Sequence, residues 1–315
     1  MSRIRTVFLG TPDFAVTCLQ AMLEDDHFDI VGVVTQPDRP SGRKMQLTKS
    51  PVRILAEKHG LRILTPEKMN LPENQLEVEK WGAEVAVVVA FGQILNTQFL
   101  NMFTHGCVNV HASLLPRWRG AAPIQRAIEA GDKVTGVALQ KMVKELDAGD
   151  VLGVKKIPIT QDMNSKELHD ALAPLGAELL KVDLMDYVRG NLTPEKQDPQ
   201  FVTYAKKIDK AESLIAWDSA EKVHNKVRAF VWGPGTYMVW NQLKVKVHKT
   251  KVIDTNTTPM KSDSIGSIIK VSDEGIDIQT GLGIVRLLEL QPESRNKMYA
   301  TEFIKGYGIK AGDKV

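Results

Sequence analysis

The 315-residue sequence is sparing in the features that usually fix a protein's class: two cysteines, 6% aromatic residues and almost no net charge. Two cysteines cannot build a disulfide framework, nor a zinc site alone. Cys18 and Cys107 both lie in apolar surroundings and read as reduced, buried thiols. The longest apolar run, from Val85 to Phe91, is far shorter than the roughly 20 residues that span a bilayer. The opening Met1-Ser-Arg-Ile-Arg runs straight into a strand-like segment, without the pattern of a secretory or transit peptide, and the expectation is a cytoplasmic protein. A net charge of +3 is too small to announce nucleic-acid binding by itself. Its distribution adds a hint. Residues 1–207 carry 25 charges of each sign, so the whole excess, 16 basic against 13 acidic, lies in residues 208–315.

Several chemical signatures are also missing. There is no Walker phosphate loop, and Gly10-Thr-Pro-Asp-Phe14 lacks the further glycines of a dinucleotide fingerprint. No Gly-x-Ser-x-Gly elbow occurs. The seven histidines are scattered, and no metal is expected.

What is present is an alternation of apolar strand-like runs and helical patterns in the first half. Residues 6–10, 30–34, 84–90, 107–111 and 135–140 read as strands. Helices are expected from Thr11-Pro12 to about Leu23, from Pro51 to about His59, and over Ser165 to Tyr187. All-apolar strands alternating with helices point to a mainly parallel sheet buried on both faces. A polar loop rich in Pro, Gly and basic residues spans Gln36 to Ser50. Gln197 to Asp209 reads as a polar linker containing Lys206 and Lys207. Beyond it a short helix over Ser219 to Phe230 precedes short alternating runs of the kind that build an antiparallel barrel or sandwich. A length of 315 residues suits one large and one small domain, with the division near residues 207 and 208.

Asn109-Val110-His111 is the segment with most chemical promise. Side chains at i and i+2 of a strand share a face, so Asn109 and His111 project together, away from Val108 and Val110. Cys107 shares that face, although direct transfer to an amine is simpler chemistry than a covalent thiol route. Ligands of open α/β sheets bind at the carboxyl ends of strands, where this pair runs into a loop shaped by Pro116 and Gly120. A second loop, Glu145-Leu-Asp-Ala-Gly-Asp150, supplies carboxylates. Together an amide donor, an imidazole and a carboxylate can hold an oxyanion and move protons in acyl transfer. In the last third, Leu243, Val245 and Val247 alternate with Lys244, Lys246 and His248. That gives one packing face and one basic face, suited either to phosphates or to protecting a sheet edge. Nearby Trp232, Tyr237 and Trp240 read as core packing more readily than as base-stacking groups.

Gly10-Thr-Pro-Asp-Phe14, Thr35-Gln-Pro-Asp-Arg-Pro40, Asn109-Val-His111, Ser113 to Pro123 and Leu146-Asp-Ala-Gly-Asp150 together closely resemble the formyltetrahydrofolate-dependent formyltransferases. The resemblance runs in order along essentially the whole chain, and Gln-Pro-Asp-Arg-Pro with the second domain narrows it to the branch acting on initiator methionyl-tRNA. It implies a Rossmann-like, mainly parallel catalytic domain over residues 1–207 and a smaller C-terminal, OB-like β-barrel that binds tRNA over 208–315. It implies 10-formyltetrahydrofolate as formyl donor, with Asn109, His111 and Asp147 at the catalytic positions. Asn109 and His111 would hold the oxyanion, while Asp147 would orient His111. Ser113, Leu114, Leu115 and Pro116 match the folate-binding segment, and Phe91 and Gly92 would line the pterin pocket. Arg43 and Lys44, on the loop that reaches the acceptor arm, would contact tRNA, joined by Lys206, Lys207, Lys244 and Lys246. A monomer is expected.

Overall fold

The computed structural model describes residues 3–41, 45–259 and 262–315. The chain forms two compact units that interleave in sequence. The first comprises Met1–Gly120, Thr135–Ile157 and His169–Ala205. The second comprises Ala121–Val134, Pro158–Leu168 and Lys206–Val315.

A seven-stranded sheet organises the first unit. Its strands are β1 (Ile4–Gly10), β2 (Phe28–Val34), β3 (Ile63–Leu64), β4 (Val85–Val89), β5 (Cys107–His111), β6 (Val134–Lys141) and β7 (Val151–Pro158). Their spatial order is β7-β6-β5-β4-β1-β2-β3. The five strands from β5 to β3 run parallel, and β6 turns antiparallel to β5. Every residue of Val85–Val89 is buried, as an apolar central strand requires. The chain steps outward from β1 to β2 and later crosses to β4 on the other side of β1. The reversal lies between β1 and β4, and it is there that open α/β sheets leave a crevice at the carboxyl edge. Thr11 bridges that crevice by donating its hydroxyl to the Phe91 carbonyl at 3.1 Å.

Helices α1 (Asp13–Leu23), α2 (Pro51–Lys58) and α3 (Pro72–Glu79) form the first three crossovers. Ser50 caps α2 by accepting from the Arg53 N–H at 3.0 Å, with Pro51 in the first turn, where its missing donor is harmless. A one-turn helix, α4, covers Thr97–Leu100. The loop expected over Gln36 to Ser50 contains a short antiparallel ribbon, Arg39–Ser41 with Gln46–Thr48. The single helix expected over Ser165 to Tyr187 is two. After α5 (Pro123–Glu129), α6 (Ser165–Lys181) is interrupted at Val182, and α7 (Asp183–Val188) continues. The interruption is a local distortion: Val182 N–H still donates to Glu178 and Asp186 N–H to Val182, so the apolar periodicity runs on through it.

The second unit is built on an antiparallel sheet of β8 (Thr236–Trp240), β9 (Leu243–Asp254), β10 (Ile268–Ser272), β11 (Gly275–Gln279) and β12 (Ile284–Pro292), ordered β8-β9-β12-β11-β10. A short β13 (Met298–Tyr299) pairs with β12. Register shifts along β9 bend the sheet around one apolar core. Val223 and Val227 of α8 (Ala220–Phe230) and Phe303 of α9 (Ala300–Tyr307) complete that core. Trp240 belongs to it, edge-on to Phe303 at 5.8 Å, whereas Trp232 is exposed. The early segments are tied in by side chains. Arg126 on α5 pairs with Glu212 at 2.7 Å. Buried Arg228 donates to the Thr160 and Met163 carbonyls at 3.2 and 2.7 Å.

Candidate active site

The carboxyl end of β5 carries the site. Strand alternation turns Val108 and Val110 into the core and leaves Asn109 half-buried with His111 on its face. Cys107, on that same face one step back, is packed among Val7, Ala86 and Phe99, and burial raises its thiol pKa. Cys18 is likewise pushed up to about 12 by burial. Neither is a thiolate nucleophile at neutral pH.

Asp147 sits in the loop between β6 and β7, close enough to gather the other groups around one carboxylate. Its Oδ2 accepts the Gly120 N–H at 2.8 Å and lies 3.7 Å from His111 Nδ1. Its Oδ1 accepts from Gln140 Nε2 at 2.9 Å and, more loosely, from Asn109 Nδ2 at 3.5 Å. The side chains of His111 and Asp147 are only 7% and 13% exposed. His111 Nε2 meets the Trp118 carbonyl at 2.9 Å. A carbonyl only accepts, so Nε2 carries a hydrogen and Nδ1 is the ring atom turned toward Asp147. The expected triad is thus assembled. The imidazole is oriented mainly by the Trp118 carbonyl, with the carboxylate at 3.7 Å, beyond a direct hydrogen bond.

The loops bearing these groups have unusual backbones. Asp147 has φ +48°, a left-handed conformation that non-glycine residues seldom take. Gly149 must be glycine, since a Cβ would stand 1.6 Å from the Lys141 carbonyl oxygen. Gly120, at φ +118°, passes the Ala205 backbone so closely that a Cβ would lie 2.9 Å from its carbonyl oxygen.

Gln140 pairs directly with Asn109 across the β5–β6 register, and a polar residue inside the apolar strand 135–140 is the sequence signal for it. Gln197, Arg119 and Thr203 also enter the site's scaffold. Arg119 falls within the Ser113 to Pro123 segment but is given no role of its own there, and the other two fall in a stretch that reads as linker. Residues 197–205 are built onto the first unit: Tyr204–Ala205 pairs with Arg119–Gly120, and Pro199–Phe201 forms a 3-10 turn.

The remaining expected residues are placed as follows. Buried Ser113 spends its hydroxyl on the Arg117 carbonyl at 2.6 Å, closing the turn in which Leu115 is buried and Leu114 and Pro116 are half-buried. The Phe91 ring lies in the core, while its carbonyl faces Thr11 and the Gln36 amide at the crevice; the adjacent Gly92 is exposed. Lys206, Lys207, Lys244 and Lys246 are all exposed, and Lys244 Nζ lies 4.0 Å from the Tyr237 ring centre. Arg43 and Lys44 fall outside the described residues. Among the described residues there is no group of three or more His, Cys, Asp or Glu arranged to hold a metal, and no helix long and apolar enough to cross a membrane.

A parallel-sheet crevice with an amide, an imidazole and a carboxylate at its rim, followed by an antiparallel unit, is the build of an enzyme that moves a one-carbon acyl group. Residues 3–182 match the formyl transferase family and residues 207–308 match the formyl transferase C-terminal domain, and the chain belongs to that family. Within it, the chain is 57% identical over 317 residues to the methionyl-tRNA formyltransferase of Bdellovibrio bacteriovorus, an alignment covering 100% of this chain and 99% of that one. Solved structures share the fold at lower identity. A sugar 3N-formyl transferase, determined in the presence of dTDP and 5-N-formyl-THF, superposes with a TM-score of 0.67 at 17% identity, over 94% of this chain and 100% of that one. The N-formyltransferase from Helicobacter canadensis, in complex with folinic acid and dTDP-3-aminofucose, gives 0.65 at 18% identity, over 90% and 99%.

Proposed function

We propose that this chain transfers the formyl group of 10-formyltetrahydrofolate to the free amino group of methionyl-initiator tRNA, giving N-formylmethionyl-tRNA for translation initiation, and that it does so as a cytoplasmic monomer. The observation that carries the reading is the meeting of Asn109, His111 and Asp147 at the carboxyl edge of the sheet. The full-length likeness to a methionyl-tRNA formyltransferase supports the choice of acceptor.

The donor supplies an activated formyl carbon. The crevice between β1 and β4 suits its pterin: Thr11 and Gln36 converge on the Phe91 carbonyl there, and the adjacent Gly92 is exposed. The loop Ser113 to Pro116 would hold the donor from the other side. As the methionine amine attacks, a C–N bond forms and negative charge gathers on the formyl oxygen. The Asn109 amide has a second hydrogen besides the one directed at Asp147, and it would take that oxyanion. His111, with Nε2 committed to Trp118, exchanges the amine proton through Nδ1 and donates to the oxyanion when charged. Asp147 lies where it stabilises that charge. The proton is returned to the folate nitrogen as the bond from that nitrogen to the formyl carbon breaks, leaving tetrahydrofolate and the formylated amine. No covalent enzyme intermediate is required.

Residues 208–315 would supply most of the tRNA affinity, through phosphate contacts from Lys244 and Lys246 on β9, with Lys206 and Lys207 adding to it from the segment just before. Arg43 and Lys44 would steer the acceptor end. The test is formyl transfer from labelled 10-formyltetrahydrofolate to methionyl-initiator tRNA, an amino sugar nucleotide and glycinamide ribonucleotide in parallel. Transfer to the tRNA alone is expected; preferential transfer to either small amine would replace this reading with that of another branch of the family.

A further inference from the structure

We propose that Gln197 is a positioning residue for formyl transfer, fixing the backbone of the Asp147 loop from the segment that follows the catalytic sheet. The inference rests on the reading of Asp147 as the carboxylate that serves His111, and it concerns a residue outside every catalytic motif of the sequence.

The carboxylate of Asp147 is held by Gly120 and Gln140, and the base of its loop is closed by the Lys141 N–H on the Asp150 carbonyl at 2.9 Å, which leaves the Asp147 and Gly149 carbonyls to be fixed. Gln197 Nε2 donates to the Asp147 carbonyl at 2.8 Å and to the Gly149 carbonyl at 2.7 Å. Both hydrogens of one amide thus span the two carbonyls that flank Ala148. The other end of the same amide is equally committed. Gln197 Oε1 accepts from Arg119 Nε and Nη2 at 3.0 and 2.8 Å. A guanidinium only donates and a carbonyl only accepts, so the amide has one permitted orientation. Only a side-chain amide offers two donors and an acceptor in this arrangement. A carboxylate would face two carbonyl oxygens, and an ammonium would face the guanidinium.

Arg119 carries the constraint to the other half of the site. It lies between Trp118, whose carbonyl receives His111 Nε2, and Gly120, whose N–H holds Asp147 Oδ2. Thr203 fixes both neighbouring peptides: its hydroxyl accepts the Trp118 N–H at 2.9 Å and its carbonyl accepts the Arg119 N–H at 2.9 Å. Glu195 and Val151 exchange backbone hydrogen bonds at 2.7 and 2.8 Å just upstream. The stretch from Glu195 to Ala205 is therefore a brace. It sets the height of Asp147 against the ring of His111, and Gln197 is the side chain that does so directly.

The experiment compares Gln197→Met, Gln197→Glu, Asp147→Asn and the double variant Gln197→Met/Asp147→Asn in steady-state and single-turnover formylation of methionyl-initiator tRNA. Thermal unfolding is followed beside each. Displacing a catalytic group by about 1 Å lowers rates by about 10²-fold, and a kcat loss of that order is expected for Gln197→Met with KM for 10-formyltetrahydrofolate unchanged. The double variant should be no slower than Asp147→Asn alone, because both substitutions disable one unit. Gln197→Glu should be as impaired as Gln197→Met, and it decides the matter should Gln197→Met fail to fold. Wild-type kcat in the Gln197 variants beside a crippled Asp147→Asn overturns the inference and leaves the catalytic reading standing. Losses that multiply in the double variant also overturn it, since Gln197 would then act elsewhere. Wild-type kcat in Asp147→Asn removes the underlying reading, and the inference with it.

Discussion

Replacing Asp147 by asparagine keeps its volume and changes the hydrogen-bonding sense of one atom. The Gly120 N–H at 2.8 Å from Oδ2 belongs to the backbone and cannot reverse, so the new side-chain oxygen must stay there. The NH₂ then takes the place of Oδ1, opposite Gln140 Nε2 at 2.9 Å and Asn109 Nδ2 at 3.5 Å. Donor faces donor at both positions. A hydrogen bond to a charged group contributes about 1.5–3 kcal/mol, and each factor of ten in rate is about 1.36 kcal/mol. Without the Gln140 bond alone the rate should fall roughly 10- to 150-fold if its whole effect is felt in the transition state. The absence of negative charge beside His111 adds to that, so single-turnover formylation should fall by about 10²–10³. Asp150 is the contrast. Its carboxylate makes no hydrogen bond or ion pair with any described residue, and Asp150→Asn should leave turnover far less affected. Single-turnover rates on methionyl-initiator tRNA with saturating donor decide between them. A larger loss in Asp150→Asn, or a near-normal rate in Asp147→Asn, would refute the reasoning.

Three further outcomes are expected. Asn109→Ala and His111→Ala should each lower turnover by about 10²–10³, the usual effect of removing an oxyanion donor, with unfolding temperature nearly intact; a normal rate in either variant would remove that residue from the chemistry. Lys244→Ala/Lys246→Ala should weaken tRNA binding and flatten the dependence of log affinity on log salt by about 0.7–0.9 for every phosphate that is no longer neutralised. An unchanged slope would reduce this basic face to a protected sheet edge. His224 is buried, donates from Nε2 to the Gln161 carbonyl (3.1 Å), meets Thr250 Oγ1 through Nδ1 (2.9 Å), and faces Asp162 and Arg228. Burial is the main cause lowering its pKa below the ordinary value, and Arg228 adds to that. The unfolded chain therefore binds the proton more readily, so the stability His224 contributes is complete above about pH 6.5 and is lost as pH falls through the lower folded pKa. Urea midpoints between pH 7 and 5 should fall less steeply in His224→Gln than in wild type, and equal slopes would contradict this.

How far the sequence discloses the site depends on how near its parts lie along the chain. Asn109 and His111 are legible because a strand repeats every two residues, and the buried faces of β5 follow that period. That the two side chains share a face therefore needs no tertiary knowledge. Asp147 needs the resemblance, because 36 residues separate it from His111 and an acidic loop is ordinarily solvated. The brace at Glu195 to Ala205 reads as linker for a physical reason. Its polar residues satisfy groups on other loops, the Asp147 carbonyl 50 residues from Gln197 and the Arg119 guanidinium 78 residues from it. Polarity that serves the interior is spelled with the same letters as polarity that serves water. The turn bonds of Ser113 and the core position of the Phe91 ring are hidden likewise, since ligand-touching and scaffold residues differ only in what lies opposite them.

The interleaving of the two compact units bears on how such a chain is made and recombined. Helix α5 and the segment Pro158–Leu168 emerge from the ribosome well before residues 206–315, yet their partners Glu212, His224 and Arg228 all lie in that last third. During synthesis these early segments must wait, with Arg126 held by Glu129 of its own helix but lacking Glu212, and the Thr160 and Met163 carbonyls lacking their guanidinium, until the C-terminal third arrives. A chimaera joined at residue 207 would bring α5 from one parent against α8 from the other. Exchanging the C-terminal unit between relatives without loss of stability therefore calls for three inserted pieces, residues 121–134, 158–168 and 206–315, moved as one.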